Sequence, residues 1–326
     1  MNIKIIIPFF GKLPDYFDFF LESCRYNSNI TFLIFSDKKM NIQESNIKCY
    51  YMTFEEFINL AKNKIDFNIE VSSPYKLCDY KPLYGKIFED YLKETDFWGH
   101  CDVDLIFGNI FNLISKEILL KYDKIQYLGH FILYKNNDEI NNLYKTKLEN
   151  GIPVEKVLNY KEPCFFDEVI MPIICNKCNI KQYIRNKFAD ILPQYNDFVI
   201  SSICTVENKE NQLFFWEKGK LYQQYIENNE IKLNEIMYIH LQKRFMNINY
   251  TKEDLNNRIY ITPQGFIPKR IFSADHLRKS KTQRKNYYIK KIKGFSLRKI
   301  WIKLKIVKLK NIIMEEDNEN RYIDIS

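Results

Sequence analysis

A β-α-β order in the first 37 residues is the strongest constraint on how this chain folds. Residues 3–7, Ile-Lys-Ile-Ile-Ile, form a largely β-branched run that Pro8 ends, and residues 31–35, Thr-Phe-Leu-Ile-Phe, form a second that stops at Ser36 and Asp37. Runs this apolar predict strands covered on both faces rather than alternating edge strands. Between them, residues 15–26 place Tyr16, Phe19, Phe20 and Cys24 near helical spacing, with Asp15 as the cap. Strand, helix and strand in this order predict an α/β fold with a parallel sheet, whose ligands bind at the loops beyond the carboxyl ends of the strands. The 326 residues accommodate one large enzyme domain.

Further along, Thr53 and Glu56 stand in capping-box relation at the head of a helix over residues 53–63. Residues 81–95 predict another, opened by Pro82 and carrying Tyr84, Ile87, Phe88 and Tyr91 as its apolar stripe. Residues 124–134 read as strand, residues 165–174 lie beside an acidic pair, residues 198–206 and 212–225 suggest a hairpin, and residues 236–241 form a last apolar strand. No internal repeat is present.

Several function classes are excluded by what is missing. The nine glycines are too widely spaced for a G-x-G-x-x-G fingerprint or a Walker loop, so any bound diphosphate needs another source of neutralisation. The four histidines are too far apart for an H-E-x-x-H zinc site, and no G-x-S-x-G elbow occurs. Eight single cysteines in apolar surroundings, with no secretory signal, predict a reducing, cytoplasmic location. Cys175 and Cys178 form one C-x-x-C without a second pair, which favours buried thiols over a metal site. No apolar stretch approaches the roughly 20 residues that span a bilayer.

The most informative stretch is residues 97–108, an apolar strand interrupted by Asp102 and Asp104 on either side of Val103. Side chains two apart on a strand share a face, so these carboxylates converge. Unpaired acids in so apolar a context are costly, and two hard oxygen donors suit Mg²⁺ or Mn²⁺, which also binds substrate phosphates. The competing explanation is a solvated turn after the strand.

The ordered set of Asp102-Val103-Asp104 after residues 76–85, Lys-Leu-Cys-Asp-Tyr-Lys-Pro-Leu-Tyr-Gly, resembles the donor half of GT-A glycosyltransferases. Residues 74–109, with Pro8-Phe9-Phe10-Gly11 and Gly129-His130-Phe131, are similar to an uncharacterised bacterial family from surface-polysaccharide gene clusters. The resemblance covers residues 1–275. It implies a GT-A type, Rossmann-like, mainly parallel mixed sheet flanked by helices, and a metal-dependent, nucleotide-sugar-dependent transferase of the hexosyltransferase type. The acceptor it implies is a glycan or lipid-linked oligosaccharide precursor of capsule, O-antigen or another surface polysaccharide. By the same resemblance, Pro8, Phe9, Phe10, Gly11 and Asp37 hold the nucleotide; Asp79, Lys81 and Tyr84 face the donor sugar or diphosphate. Asp102, Asp104 and His240 meet Mn²⁺ or Mg²⁺, with Asp102 also at the ribose, and Lys243 or Arg244 stabilises the departing diphosphate. Asp167 or Glu168 deprotonates the acceptor. Each has a plainer reading: His240 as a hydrogen-bonded residue closing a strand, Lys243 and Arg244 as solvated, and the acidic pair as an ordinary helix start. Lys81 stands where a related group has Arg, and Gly85 is single, so that group's sugar specificity does not transfer.

Charge is concentrated at one end. Residues 278–310 contain 14 Lys/Arg and no Asp or Glu, and without them the formal net charge turns from +8 to −6. An acidic body argues against a nucleic-acid groove. Basic residues interleaved with Tyr287, Phe295, Trp301 and Leu304 predict a segment, residues 276–314, that lies on an anionic inner-membrane surface or docks on the domain. An acidic end, residues 315–326, follows. A nonenzymatic membrane- or RNA-binding adaptor, using the basic segment, is the alternative to the enzyme.

Overall fold

The computed structural model describes residues 1–147, 153–209 and 212–268. The basic segment 278–310 and the acidic end 315–326 lie outside the described residues. The expected mixed α/β architecture, with mainly parallel strands in its largest sheet and helices packed around it, is what the chain forms.

In chain order the strands and two longest helices are β1 (Ile3–Phe9), α1 (Phe17–Arg25), β2 (Ile30–Ser36), β3 (Ile47–Tyr51), α2 (Phe54–Lys64), β4 (Phe97–Cys101), β5 (Leu105–Phe107), β6 (Lys124–Ile125), β7 (Phe131–Lys135), β8 (Gln182–Tyr183), β9 (Ala189–Asp190), β10 (Leu213–Glu217), β11 (Lys220–Glu227), β12 (Glu230–Ile236), β13 (Tyr238–His240), β14 (Ile259–Thr262) and β15 (Gly265–Pro268). The main sheet runs β3-β2-β1-β4-β7-β6-β8. Strands β3, β2, β1 and β4 are parallel, and β7 reverses the direction. The β1 run is apolar on both sides because it feeds two cores: Ile6 packs with Leu33, Tyr84 and Trp98, while Ile3, Ile5 and Ile7 pack with Phe20, Phe32 and Phe131. Gly99 in β4 is required by close approach, since a Cβ there would sit 2.3 Å from the Ile132 carbonyl oxygen.

Two smaller sheets complete the molecule. An antiparallel sheet, β12-β11-β10-β14-β15, packs Trp216 and Phe266 against Phe19 of α1. A three-stranded sheet, β5-β13-β9, adjoins the end of β4.

Local expectations are corrected in places. The capping box at Thr53 and Glu56 is present, but Tyr16 rather than Asp15 occupies the cap of α1, and Asp15 pairs with Lys12 instead. Residues 81–95 are not one helix: short turns at Lys81–Leu83, Tyr84–Ile87 and Glu89–Tyr91 follow one another. Pro82 lacks an N–H, and Gly85 is pressed against the Trp98 ring, so the backbone follows packing rather than propensity. Residues 124–134 split into β6 and β7, and residues 198–206 form no strand, the hairpin being made by β10 and β11 alone. The apolar stretch 236–241 divides at Met237, with Ile236 ending β12 and residues 238–240 entering the small sheet.

Candidate active site

A cavity of about 1210 Å³ opens where β1 and β4 end, which is where a parallel sheet presents its loops. Its wall includes Pro8, Phe9, Tyr75, Lys81, Tyr84, Asp102, Asp104, His130, Asp167, Glu168, Asp190, His240 and Lys243. Asp102, Val103 and Asp104 form the link between β4 and β5, and the two carboxylates have different partners.

Asp102 accepts a hydrogen bond from Lys81 Nζ at 2.6 Å. The same ammonium donates to the Gly129 carbonyl at 2.8 Å and lies 3.8 Å from Asp167 Oδ2. Burial works against the Lys81 charge, but Asp102 and Asp167 outweigh it and hold the ammonium above the usual lysine range. Asp167 is almost fully enclosed: burial pushes its carboxyl well above the ordinary range, with Lys81 opposing and neighbouring acids reinforcing the rise. A Cβ on Gly129 would meet Asp167 Oδ2 at 2.1 Å, so only glycine permits this approach.

Asp104 accepts from the Lys243 backbone N–H at 2.8 Å and faces His240 Nε2 at 3.4 Å. On the other side of the ring, His240 Nδ1 lies 2.9 Å from Asp190 Oδ1. Burial alone would disfavour every one of these charges. Mutual attraction overcomes it, so the carboxyls of Asp104 and Asp190 are held at about 2 and the imidazole is lifted to about 10. Adjacent His130 goes the other way: burial and the His240 charge lower it to about 3, and its Nδ1 pairs with the Tyr238 hydroxyl at 3.0 Å.

Asp102, Asp104 and His240 each bring one donor atom within 4.8 Å of the others. Two carboxylate oxygens and an imidazole nitrogen, from three points of the chain, fit Mn²⁺ or Mg²⁺, with Mn²⁺ the better match to the nitrogen.

The other anticipated residues sort by position. Pro8 and Phe9 line the cavity, but Phe10 turns inward against Phe54 and Phe57 and takes no part in the wall. Gly11 and Asp37 are outside the wall as well, the Asp37 carboxylate accepting from the Gly11 N–H. Asp79 is not part of the cavity wall. It is fully buried, pairs with Lys76 Nζ at 2.7 Å and accepts from the backbone N–H groups of Cys164 and Phe166, and so pins the chain where it enters the π turn Phe166–Ile170 that carries Asp167. Tyr84 lines the cavity with its ring, while its hydroxyl donates to the Leu77 carbonyl. Lys243 Nζ lies 4.2 Å from the centre of the Tyr75 ring, and Arg244 donates to the Tyr195 and Asn196 carbonyls. Glu168 is half-buried and lines the cavity. Cys175 and Cys178 are free thiols.

Sequence reasoning missed Asp190, His130 and Tyr75. Asp190 carried the same signal as the acidic pair, a carboxylate inside an apolar run, Phe188-Ala189-Asp190-Ile191-Leu192.

Among solved structures, the galactosyltransferase LgtC in complex with donor and acceptor sugar analogs overlaps 59% of this chain and 76% of its own, at 10% identity and a TM-score of 0.33. The apo-form glycosyltransferase GlyE from Streptococcus pneumoniae TIGR4 overlaps 56% of this chain and 45% of its own, at 12% identity and a TM-score of 0.30. Likeness at this level carries no argument about chemistry. No curated protein matches the sequence. Residues 5–270 match the profile of a family of unknown function, DUF6625, and the chain belongs to that family.

Proposed function

We propose that this chain is a glycosyltransferase that uses Mn²⁺ or Mg²⁺ to move a sugar from a nucleotide-sugar donor to a glycan or lipid-linked oligosaccharide acceptor, a precursor of capsule, O-antigen or another surface polysaccharide. The observation that carries the reading is the convergence of Asp102, Asp104 and His240 at the carboxyl end of the parallel strands, beside a cavity that also presents Lys81. A chain without a glycine-rich phosphate loop needs such a cluster to accept a diphosphate.

A cation held by Asp102, Asp104 and His240 would supply Lewis-acid stabilisation of the leaving diphosphate. The protein's own groups do the rest. Pro8 and Phe9 bound the nucleotide end of the cavity. Lys81, fixed by Asp102 and the Gly129 carbonyl, points a permanent positive charge at the donor. Lys243 adds a second near the mouth. The acceptor hydroxyl oxygen bonds to the anomeric carbon as the bond from that carbon to the diphosphate oxygen breaks, and a carboxylate takes the hydroxyl proton. Both acids line the cavity, but Asp167 is buried against Gly129 and lies 3.8 Å from Lys81 Nζ, where it sets the position of that ammonium, so the half-buried Glu168 suits the role of base.

Incubation of the full chain with a panel of sugar nucleotides and Mn²⁺ or Mg²⁺ is expected to release nucleoside diphosphate slowly from a preferred donor, and EDTA is expected to stop it. Mass spectra showing every donor intact under all metal conditions would count against the enzyme.

The basic segment 278–310 supports attachment to the anionic inner face of the cytoplasmic membrane. Full-length protein is expected to sediment with anionic phospholipid vesicles and to be released as salt rises. Equal recovery of the full chain and a 1–275 truncation would remove that assignment. A nonenzymatic adaptor would leave the buried charges of the cavity without a purpose.

A further inference from the structure

We propose that Asp190 is the positioning residue that decides which nitrogen of His240 faces the cation; the inference rests on reading Asp102, Asp104 and His240 as the metal site.

The small sheet sets the arrangement. In β5-β13-β9, His240 is paired with Leu105 on one side and with Asp190 on the other. Its ring therefore stands between Asp104, one residue before β5, and Asp190, the last residue of β9. The two contacts are unequal. Asp190 Oδ1 lies 2.9 Å from Nδ1, a full hydrogen bond, whereas Asp104 Oδ1 lies 3.4 Å from Nε2, beyond the ordinary N–H···O range. A carboxylate only accepts, so Nδ1 keeps its hydrogen in the shorter contact; the proton a cation would displace is the one on Nε2, which frees that nitrogen's lone pair toward Asp104 and Asp102. This is the arrangement in which a ligating histidine is oriented by an outer carboxylate.

Asp190 is itself secured. It is buried, and its Oδ1 also accepts from the Gln242 side-chain amide. The Ile191 N–H donates to the His240 carbonyl, tying the end of β9 to β13, and the Ser201 N–H donates to the Asp190 carbonyl, anchoring Asp190 from its other side. Gln242 and Lys243 both adopt left-handed backbone, with φ of 50° and 59°, which side chains other than glycine rarely do. The turn they make has two products: the Gln242 amide reaches Asp190, and the Lys243 N–H reaches Asp104 at 2.8 Å. One strained turn thus holds the carboxylates on both sides of the histidine. His130 packs over the ring, centroid to centroid 4.6 Å, and opposes its rotation.

The test is Mn²⁺ binding to the full chain, read by the electron paramagnetic resonance signal of free Mn²⁺, with thermal unfolding recorded for each variant. Asp190→Ala is expected to weaken Mn²⁺ binding about 10- to 100-fold. Asp190→Asn keeps an oxygen acceptor for Nδ1 and is expected to recover most of that loss. Gln242→Leu removes a support of Asp190 without touching the ligands and is expected to weaken binding several-fold, which keeps the test open if the alanine variant does not fold. Folded variants that bind Mn²⁺ as tightly as the wild type would overturn the role of Asp190 while leaving the cation site standing. Failure of the wild-type chain to bind Mn²⁺ would overturn the cation site, and this inference with it.

Discussion

Asp104→Asn is expected to reduce sugar transfer about 10³-fold, the scale on which a preorganised group that stabilises developing charge contributes. The substitution preserves size and leaves an oxygen to accept the Lys243 N–H, so the turn after β13 should persist. What disappears is the negative charge beside His240 and one of two hard oxygen donors in the cluster. Asp102→Asn should behave similarly, with one difference: its Oδ1 is the partner of Lys81, so that ammonium also loses its strongest neighbour. Steady-state turnover at saturating donor, measured at several Mn²⁺ concentrations, separates weakened cation binding from lost catalysis. Variants that fold normally and retain full turnover at low Mn²⁺ would mean that the carboxylates are structural.

Glu168→Gln has the next largest expected effect, a fall in turnover of about 10²- to 10⁴-fold, the usual contribution of a positioned general base. Mn²⁺ affinity should be unchanged, since Glu168 belongs to no part of the Asp102, Asp104 and His240 cluster. Asp167→Asn is a useful contrast. Asp167 also lines the cavity, but it is buried, with Oδ2 packed close to Gly129 and 3.8 Å from Lys81 Nζ. Its loss should act through Lys81, raising KM for the donor more than it lowers turnover. Single-turnover measurements showing Asp167→Asn inactive and Glu168→Gln unaffected would reverse the assignment of the base.

Much of this site was legible in the sequence where a single physical signal sufficed. The strands of residues 3–7 and 31–35 were plain because a parallel core strand must be apolar on both faces. Asp102 and Asp104 were plain because two acids broke an otherwise buried run. Features that depend on distant chain were not. Asp190 stood alone in its apolar run, and the histidine that gives it meaning lies fifty residues later. Asp79 is assigned to the donor by the resemblance of residues 76–85 alone; the tertiary fold encloses it with Lys76 and turns it to holding residues 164–166, contacts that nothing local in the sequence signals. Phe10, one residue beyond two that line the cavity, is drawn inward by Phe54 and Phe57 on a helix forty-odd residues away. The antiparallel sheet was hidden as well, since the run Leu213-Phe214-Phe215-Trp216 shows no alternation: both of its faces pack on aromatic neighbours.

The central claim is tested most directly by a crystal of the full chain grown with Mn²⁺ and a nucleoside diphosphate, with data collected at the manganese absorption edge. An anomalous peak bounded by Asp102, Asp104 and His240 Nε2 is expected, with the diphosphate beside it and Lys81 in reach. A structure in which the nucleotide occupies the cavity while those three side chains hold no ion would contradict it.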